Sequence, residues 1–521
     1  AQTSDWSDPV QQHFAQAKQS AAEGNFQQAA LALTFMENLL KQHANYQDSL
    51  EQLGASSAAA IGTPLREPLR TVLPPVEAAP ADMQLTFDLQ AYANDRSPCD
   101  MVWASSLSSS TAPALWTIAD NTLRGEDAVS LPFPGDSQVG RSSLLAVDLN
   151  FDFRQDLVTV GEQGCMIYVN QGDGSFQSHD TGLTEFSAPW RTVWAWDLDA
   201  DGDLDLLLSD HRDKIQAIQN NGDLTLTPLE QFVDAEAVRD MAAADLDGDG
   251  DLDLCTLSVR GEVFVWQNER GGQFVATATP PWEPAQMAIA VGDIDRDGTF
   301  EIITWSATGH LRSASLRHDG TWRISQIVTH RLLDEPARGI SLTTLAVADI
   351  DNNGAVDILA STRGNCWIWL NTGNAQWQRL PDTPLLQVVS VADMNGDGLL
   401  DLVGLAGNDV RVASGVGRRQ YGWCDIHTTS NPDVGDKRIN PFGIGGRIEV
   451  RAGTLAQAAT ISSPTTFFGL GHHERADVAR IVWPNGTVQA EFDLASRATT
   501  AAKQRLKGSC PWVFTYDGTE F

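Results

Sequence analysis

Residues 245–254 read DLDGDGDLDL and place five carboxylates, Asp245, Asp247, Asp249, Asp251 and Asp253, within nine positions. Two like charges 4 Å apart cost about 1 kcal/mol in water and about 4 kcal/mol at an effective dielectric of 20. A fold that gathers so many acids calls for a neutralising cation. The stretch has five relatives: DLNFDFRQDL from Asp148, DLDADGDLDL from Asp197, DIDRDGTFEI from Asp293, DIDNNGAVDI from Asp349 and DMNGDGLLDL from Asp393. Successive starts are separated by 49, 48, 48, 56 and 44 residues.

The surroundings recur with the loops. An apolar run precedes each one (SLLAV, TVWAW, DMAAA, MAIAV, TLAVA, VVSVA) and another follows it (DLVTV, DLLLS, DLCTL, EIITW, DILAS, DLVGL). A third run follows, as in EVFVWQN and CWIWLN, and a fourth often comes after a Gly- or Asn-containing turn. Four short strands per period of about 48 residues is the spelling of propeller blades. The segment before Asp148 reads as a further blade, with LTFDLQ, DMVWASS, ALWTIAD and AVSLP as its strands and a loop that has lost its acids. The expectation is a mainly β chain: a seven-bladed β-propeller over residues 83–420, with six or eight blades also compatible. The last blade lacks a clear fourth strand after Ser414, and a strand from the N-terminal side would close the ring.

Numbered from the first Asp, positions 1, 3, 5 and 9 of all six loops carry oxygen side chains. They are Asp148, Asn150, Asp152 and Asp156; Asp197, Asp199, Asp201 and Asp205; Asp245, Asp247, Asp249 and Asp253; Asp293, Asp295, Asp297 and Glu301; Asp349, Asp351, Asn353 and Asp357; and Asp393, Asn395, Asp397 and Asp401. Position 7 varies freely (Arg154, Asp203, Asp251, Thr299, Ala355, Leu399), as a backbone-carbonyl ligand allows. Position 6 is Gly in five of the six, which suits a sharp turn. Six or seven oxygen ligands on a flexible loop select calcium over the stricter octahedron of magnesium. About six calcium sites are expected. Phe153 stands where Gly is expected in the first loop, which should make that site the weakest.

The repeated loops resemble the FG-GAP/VCBS repeats, calcium-loop propellers related to integrin α-chain heads. The resemblance implies a structural calcium in the turn between the first two strands of each blade, along one rim, with partners docking on loops of a face. From Tyr421 the spelling changes. GIGGRIEV, FFGLG and WPNG together resemble an ASPIC/UnbV domain, a small β domain over residues 421–495, leaving 496–521 as a tail. The pairing resembles the cartilage-acidic-protein-like secreted family. Residues 1–53 read as a helical hairpin resembling one tetratricopeptide unit, with Ala17, Gly24, Phe26 and Ala29–Ala30 at its signature positions. Residues 54–82 read as an Ala/Pro-rich linker.

Composition narrows the function. A net charge of −33, from 68 acidic and 35 basic residues, opposes nucleic acid or anionic membrane as the main partner. No apolar run is long enough to span a bilayer. Six scattered cysteines form no CxxC pair, and a disulfide through Cys99, Cys424 or Cys510 suits an oxidising compartment. No catalytic motif is evident; the His472–His473–Glu474 cluster reads as an exposed loop. The expectation is a secreted, extracellular or periplasmic module that binds a protein or glycan, with calcium structural. A polysaccharide-acting enzyme and a subunit that self-associates through the N-terminal helices or the C-terminal domain are the alternatives.

Overall fold

Each acidic loop joins two antiparallel strands, and each such pair grows into a four-stranded sheet. The computed structural model describes residues 7–22, positions 29, 32, 33 and 36, and most of 78–505, without 93–98, 106–112, 329–342, 432–438 and some shorter stretches. The chain divides into two compact units, Ala1–Pro75 and Val76–Phe521. In the first, Ser7–Ala22 is a helix that buries Ala17 and Ser20 and exposes Phe14. Most of the second helix expected for the hairpin, with Gly24, Phe26 and Ala30, lies outside the described residues.

The second unit is a mainly β structure whose larger part is a β-propeller of four-stranded antiparallel sheets. Sheet 1 comprises Met101–Ser105, Ala114–Ala119, Thr122–Arg124 and Ser130–Pro132. Sheets 2 to 6 begin at Leu144–Val147, Thr192–Trp196, Val238–Ala244, Gln286–Gly292 and Thr344–Ala348 and run through three further consecutive strands each. Sheet 7 holds Gln387–Ala392, Asp401–Ala406 and Asp409–Val416, and its outer strand is Thr86–Ala91, paired antiparallel from Thr86↔Val416 to Ala91↔Arg411. LTFDLQ therefore belongs to the last sheet and not to the first, as the sequence reading had it. Residues Thr122–Arg124 supply the missing strand of sheet 1, a three-residue strand too short to stand out as an apolar run.

Apolar faces of neighbouring sheets share a core at every junction, including the one between sheets 7 and 1. There Val102 and Leu115 pack with Val403 and Leu405. Between sheets 5 and 6 the rings of Trp305 and Trp367 meet edge-on at 5.7 Å. The tryptophans on strand patterns thus pack between sheets, where a large ring fills the wedge-shaped gap.

After Tyr421 the chain forms a small β domain. One sheet orders Leu455–Thr460, Arg447–Ala452, Arg475–Val482 and Val488–Ala495; the other orders Thr465–Gly471, Gly422–Thr429 and Ala498–Lys503. Ala498–Lys503, which the sequence reading left in a tail, pairs parallel with Gly422–Thr429 from Cys424↔Ala498 to Thr429↔Lys503. Its composition, ATTAAK, carries little apolar signal, so only the pairing reveals it. The end of the expected linker is also part of this unit. Ala79 N donates to Asn353 O at 2.8 Å, and Asp82 accepts from the backbone of Arg418 and Arg419. Cys99 and Cys424, candidates for a disulfide, are buried free thiols, and Cys510 lies outside the described residues.

Candidate metal centre

The six acidic loops share one backbone course. Position 6 has positive φ throughout, from 64° at Phe153 to 100° at Gly202. Position 4 does too: Phe151, Ala200, Gly248, Arg296, Asn352 and Gly396 all lie between 61° and 79°. Sequence reasoning found the first of these positions through its glycines. It missed the second because only two of the six residues there are Gly.

Local hydrogen bonds explain the spacing of the oxygen side chains. The position 5 side chain accepts the N–H of position 7 in every loop, at 2.8–2.9 Å. The position 3 side chain accepts the N–H of position 5 in every loop, at 2.8–3.3 Å. These are turns closed by Asp or Asn on their own backbone. The position 9 carboxylate is a clamp. Asp205 accepts Leu198 N on one oxygen and Asn220 N on the other; Asp156, Asp253, Asp357 and Asp401 make the equivalent pair. Position 9 thus anchors the loop to the sheet.

Four loops bring three carboxylates together. Oxygens of Asp197, Asp199 and Asp205, of Asp245, Asp247 and Asp253, of Asp293, Asp295 and Asp297, and of Asp349, Asp351 and Asp357 lie within 4.8 Å of one another. The loops at Asp148 and Asp393 do not gather such a group among the described residues. In the former, the Arg154 guanidinium pairs with Asp152 and donates to Asn170 O at 3.0 Å, so a resident cation already faces the acids. Of the expected carboxylate ligands in these four loops, Asp201, Asp249 and Glu301 fall outside the close groups.

The electrostatics mark the same places. Burial, reinforced by neighbouring acids, pushes Asp197 up to about 7. Burial likewise takes Asp205 to about 8 and Asp253 to about 7, against backbone donors that pull the other way. Glu301 rises to about 9, through burial and then the charges of Asp295, Asp293 and Asp297. Burial drives Asp349 and Asp357 well above the usual carboxylate range, with Asp351 close to both. The residues fit a hard cation on a further count: Asp293 Oδ1 and Glu301 Oε1 are buried oxygens with no hydrogen-bond donor. Unpaired buried carboxylate oxygens are costly, and an oxygen-loving divalent ion removes that cost.

This chain carries FG-GAP-like repeats. That repeat family matches at residues 148–208, 197–256, 245–304 and 349–404, and the ASPIC and UnbV family at 436–507. No curated protein matches the chain. Among solved structures, a lectin from Agrocybe aegerita, in a structure of its recognition of non-reducing terminal N-acetylglucosamine, is 18% identical with a TM-score of 0.42. The match covers 64% of this chain and 94% of that one. The WD40 domain of Toxoplasma gondii coronin is 10% identical with a TM-score of 0.40, covering 67% and 90%. Both likenesses are distant.

The ASPIC/UnbV domain sits against the same rim. Arg447 donates to Gly298 O at 2.5 Å and lies 3.8 Å from Asp245 Oδ2. Phe442 meets Phe153 at 6.3 Å between ring centroids. Gly471 N donates to Asn352 O at 2.9 Å. Gly469 passes so near the Asp349 loop that a Cβ there would stand 2.0 Å from Asp349 Oδ2. At Gly398 a Cβ would fall 1.7 Å from Trp423 Nε1. The core around Leu204 and Leu206 runs on into Ile448, Ile481 and Trp483. The ASPIC/UnbV domain thus packs against the FG-GAP-like loops, an arrangement the sequence did not disclose, while Asp247, Asp249, Asp297 and Asp397 stay exposed. His472, on this domain, stacks edge-on with Tyr421 at 5.0 Å.

Proposed function

We propose that this protein is a calcium-stabilised interaction module whose seven sheets form the blades of one ring, with calcium structural. The observation that carries the reading is the Asp349 loop. Asp349, Asp351 and Asp357 are 4%, 2% and 0% exposed, and their oxygens lie within 4.8 Å of one another. Three ionised carboxylates so placed make three repelling pairs, at about 4 kcal/mol per pair for an effective dielectric of 20. A divalent ion turns that repulsion into attraction and ties folding to the metal. Asp349, Asp351 and Asp357, with the Asn353 side chain and the Ala355 carbonyl, would hold it.

The role is binding and not turnover. The loop acids are engaged by their own backbone, and the clamp at position 9 uses both its oxygens on the sheet. Protein or glycan partners dock away from the acidic rim, since the ASPIC/UnbV domain occupies it. A compartment rich in calcium, extracellular or periplasmic, suits carboxylate loops of moderate affinity. The charge of −33 disfavours polyanionic partners.

The test is metal content and melting on one sample. Protein dialysed against millimolar calcium should retain about four ions by elemental analysis and melt well above its EGTA-treated form. Ion-free protein with an unchanged transition would reject the reading.

A further inference from the structure

The ring has a second polar site, remote from the acidic loops. Strands such as Thr192–Trp196 and Val238–Ala244 run from it towards the rim, so it lies at their opposite ends. A cavity of about 680 Å³ opens there, lined by residues from all seven sheets and the turns beside them. Such a cavity is in the range that takes small ligands. Four guanidiniums, Arg141, Arg191, Arg239 and Arg363, face it in a protein that is otherwise strongly acidic. Arg141 crosses the ring: from the start of sheet 2 it donates to Asp240 Oδ1 in sheet 4 at 3.0 Å and to Leu345 O in sheet 6 at 3.4 Å. Those bonds use two of its five N–H donors. The side chain remains 29% exposed to the cavity.

Two observations say that the wall is short of an acceptor. Gln387 is 3% exposed and lines the cavity, and its Nε2 has no hydrogen-bond partner. Arg239 Nε is likewise buried and unpartnered, although its Nη2 donates to Gln286 O at 2.5 Å. Burial also lowers the Arg191 and Arg239 guanidiniums, which an anion would reverse. The same wall carries Asp100 and Asp210, and a carboxylate accepts more than one hydrogen bond.

We infer that the cavity at the mouth of the ring is a binding site for a hydroxylated carboxylate of the sugar-acid class, a uronate residue. The carboxylate is held by the Arg191 and Arg239 guanidiniums over the Arg141 floor, planar groups that match it two bonds at a time. Asp100 and Asp210 accept its hydroxyls. Met287 and Leu405 give its C–H faces apolar surface. This deepens the interaction-module reading and rests on it for the ligand's class, but the site is built from different residues than the metal loops.

Isothermal titration of the full chain in calcium decides it, with sodium D-glucuronate and D-galacturonate as probes. D-glucose, which lacks the carboxylate, and glutarate, which lacks the hydroxyls, serve as the comparison ligands. At least one uronate binds, glucose and glutarate bind about tenfold more weakly, and Arg191→Ala and Arg239→Ala each weaken the uronate by about tenfold. Arg323→Ala, on an exposed outer strand, leaves binding unchanged. Failure of both uronates to bind, equal binding of glucose or glutarate, or indifference to the two cavity variants overturns the inference. The calcium-dependent melting of the same samples is read alongside. Intact calcium stabilisation with no uronate binding sinks this site alone, whereas loss of calcium stabilisation sinks the earlier reading.

Discussion

Arg447 Nη1 of the ASPIC/UnbV domain stands 3.8 Å from Asp245 Oδ2, while its Nη2 donates to Gly298 O in the neighbouring acidic loop. One guanidinium therefore ties two loops to the covering domain, and it also lies 5.1 Å over the Phe300 ring. Arg447→Ala leaves the partly buried Asp245 without its counter-charge. A loss of about 2–4 kcal/mol is expected in EGTA and a smaller loss in calcium, where the ion supplies charge to Asp245. Denaturant unfolding under both conditions measures the difference; equal losses would mean that Arg447 does not share Asp245 with the metal.

Metal binding should divide the loops unequally. Asp351→Ala, in the most buried loop, is expected to remove one calcium equivalent and lower the melting temperature by several degrees. Asp152→Ala, where Arg154 already pairs with the acid, is expected to leave the bound calcium unchanged. Elemental analysis of the two variants gives the counts.

The raised carboxylates set a pH dependence for the metal-free protein. Asp197, Asp205, Asp253 and Glu301 stand at about 7, 8, 7 and 9 in the fold. In the unfolded chain carboxyls titrate near 4. The folded state binds these protons more tightly, so the stability they contribute is full below about pH 4 and is lost as pH rises through about 7–9. EGTA-treated protein should melt lower at pH 8.5 than at pH 6. Calcium competes with those protons and should flatten or reverse the slope, which scanning calorimetry at both pH values will show.

Gly469 has no room for a side chain. Gly469→Ala drives a methyl into Asp349 and the Asn352 backbone, at 2.0 Å and 2.7 Å. A loss of about 1–3 kcal/mol or more is expected, with earlier proteolytic release of the C-terminal domain. Limited proteolysis that cannot tell the variant from the parent would contradict the packing.

Phe153 departs from the repeat for a reason that its own loop does not contain. It adopts φ 64°, a region costly for a residue with a Cβ, yet its ring meets both Phe151 and Phe442 edge-on. Phe153→Gly restores the repeat's consensus but removes the contact with the covering domain. The variant is expected to be less stable by about 1–2 kcal/mol, against the gain that a turn glycine alone predicts. Chemical denaturation measures the sign.

The loop chemistry was written in residues 148–401, because each acid works on nearby chain, the longest reach being the 14 or 15 positions from position 9 to its second backbone donor. Positions 1, 3, 5 and 9 take their roles from hydrogen bonds to neighbouring backbone, and the strand periodicity on either side is equally local. The closing strand Thr86–Ala91 was less legible. Its partner, Asp409–Val416, lies more than 300 positions away, and a lone apolar run does not say which edge it completes. The short strands Thr122–Arg124 and Ala498–Lys503 were lost for want of apolar signal.

By itself, the sequence determined the acidic loops, their period and the sheets that grow from them, since all of these follow from side chains acting on nearby backbone. Only the tertiary structure decided that four loops gather three carboxylates each and that the C-terminal domain packs against the rim. It alone collected arginines from distant turns at the other mouth of the ring. Those features depend on where separate sheets meet in space, and the burial that raises the acids and confines the guanidiniums arises only once the ring has closed.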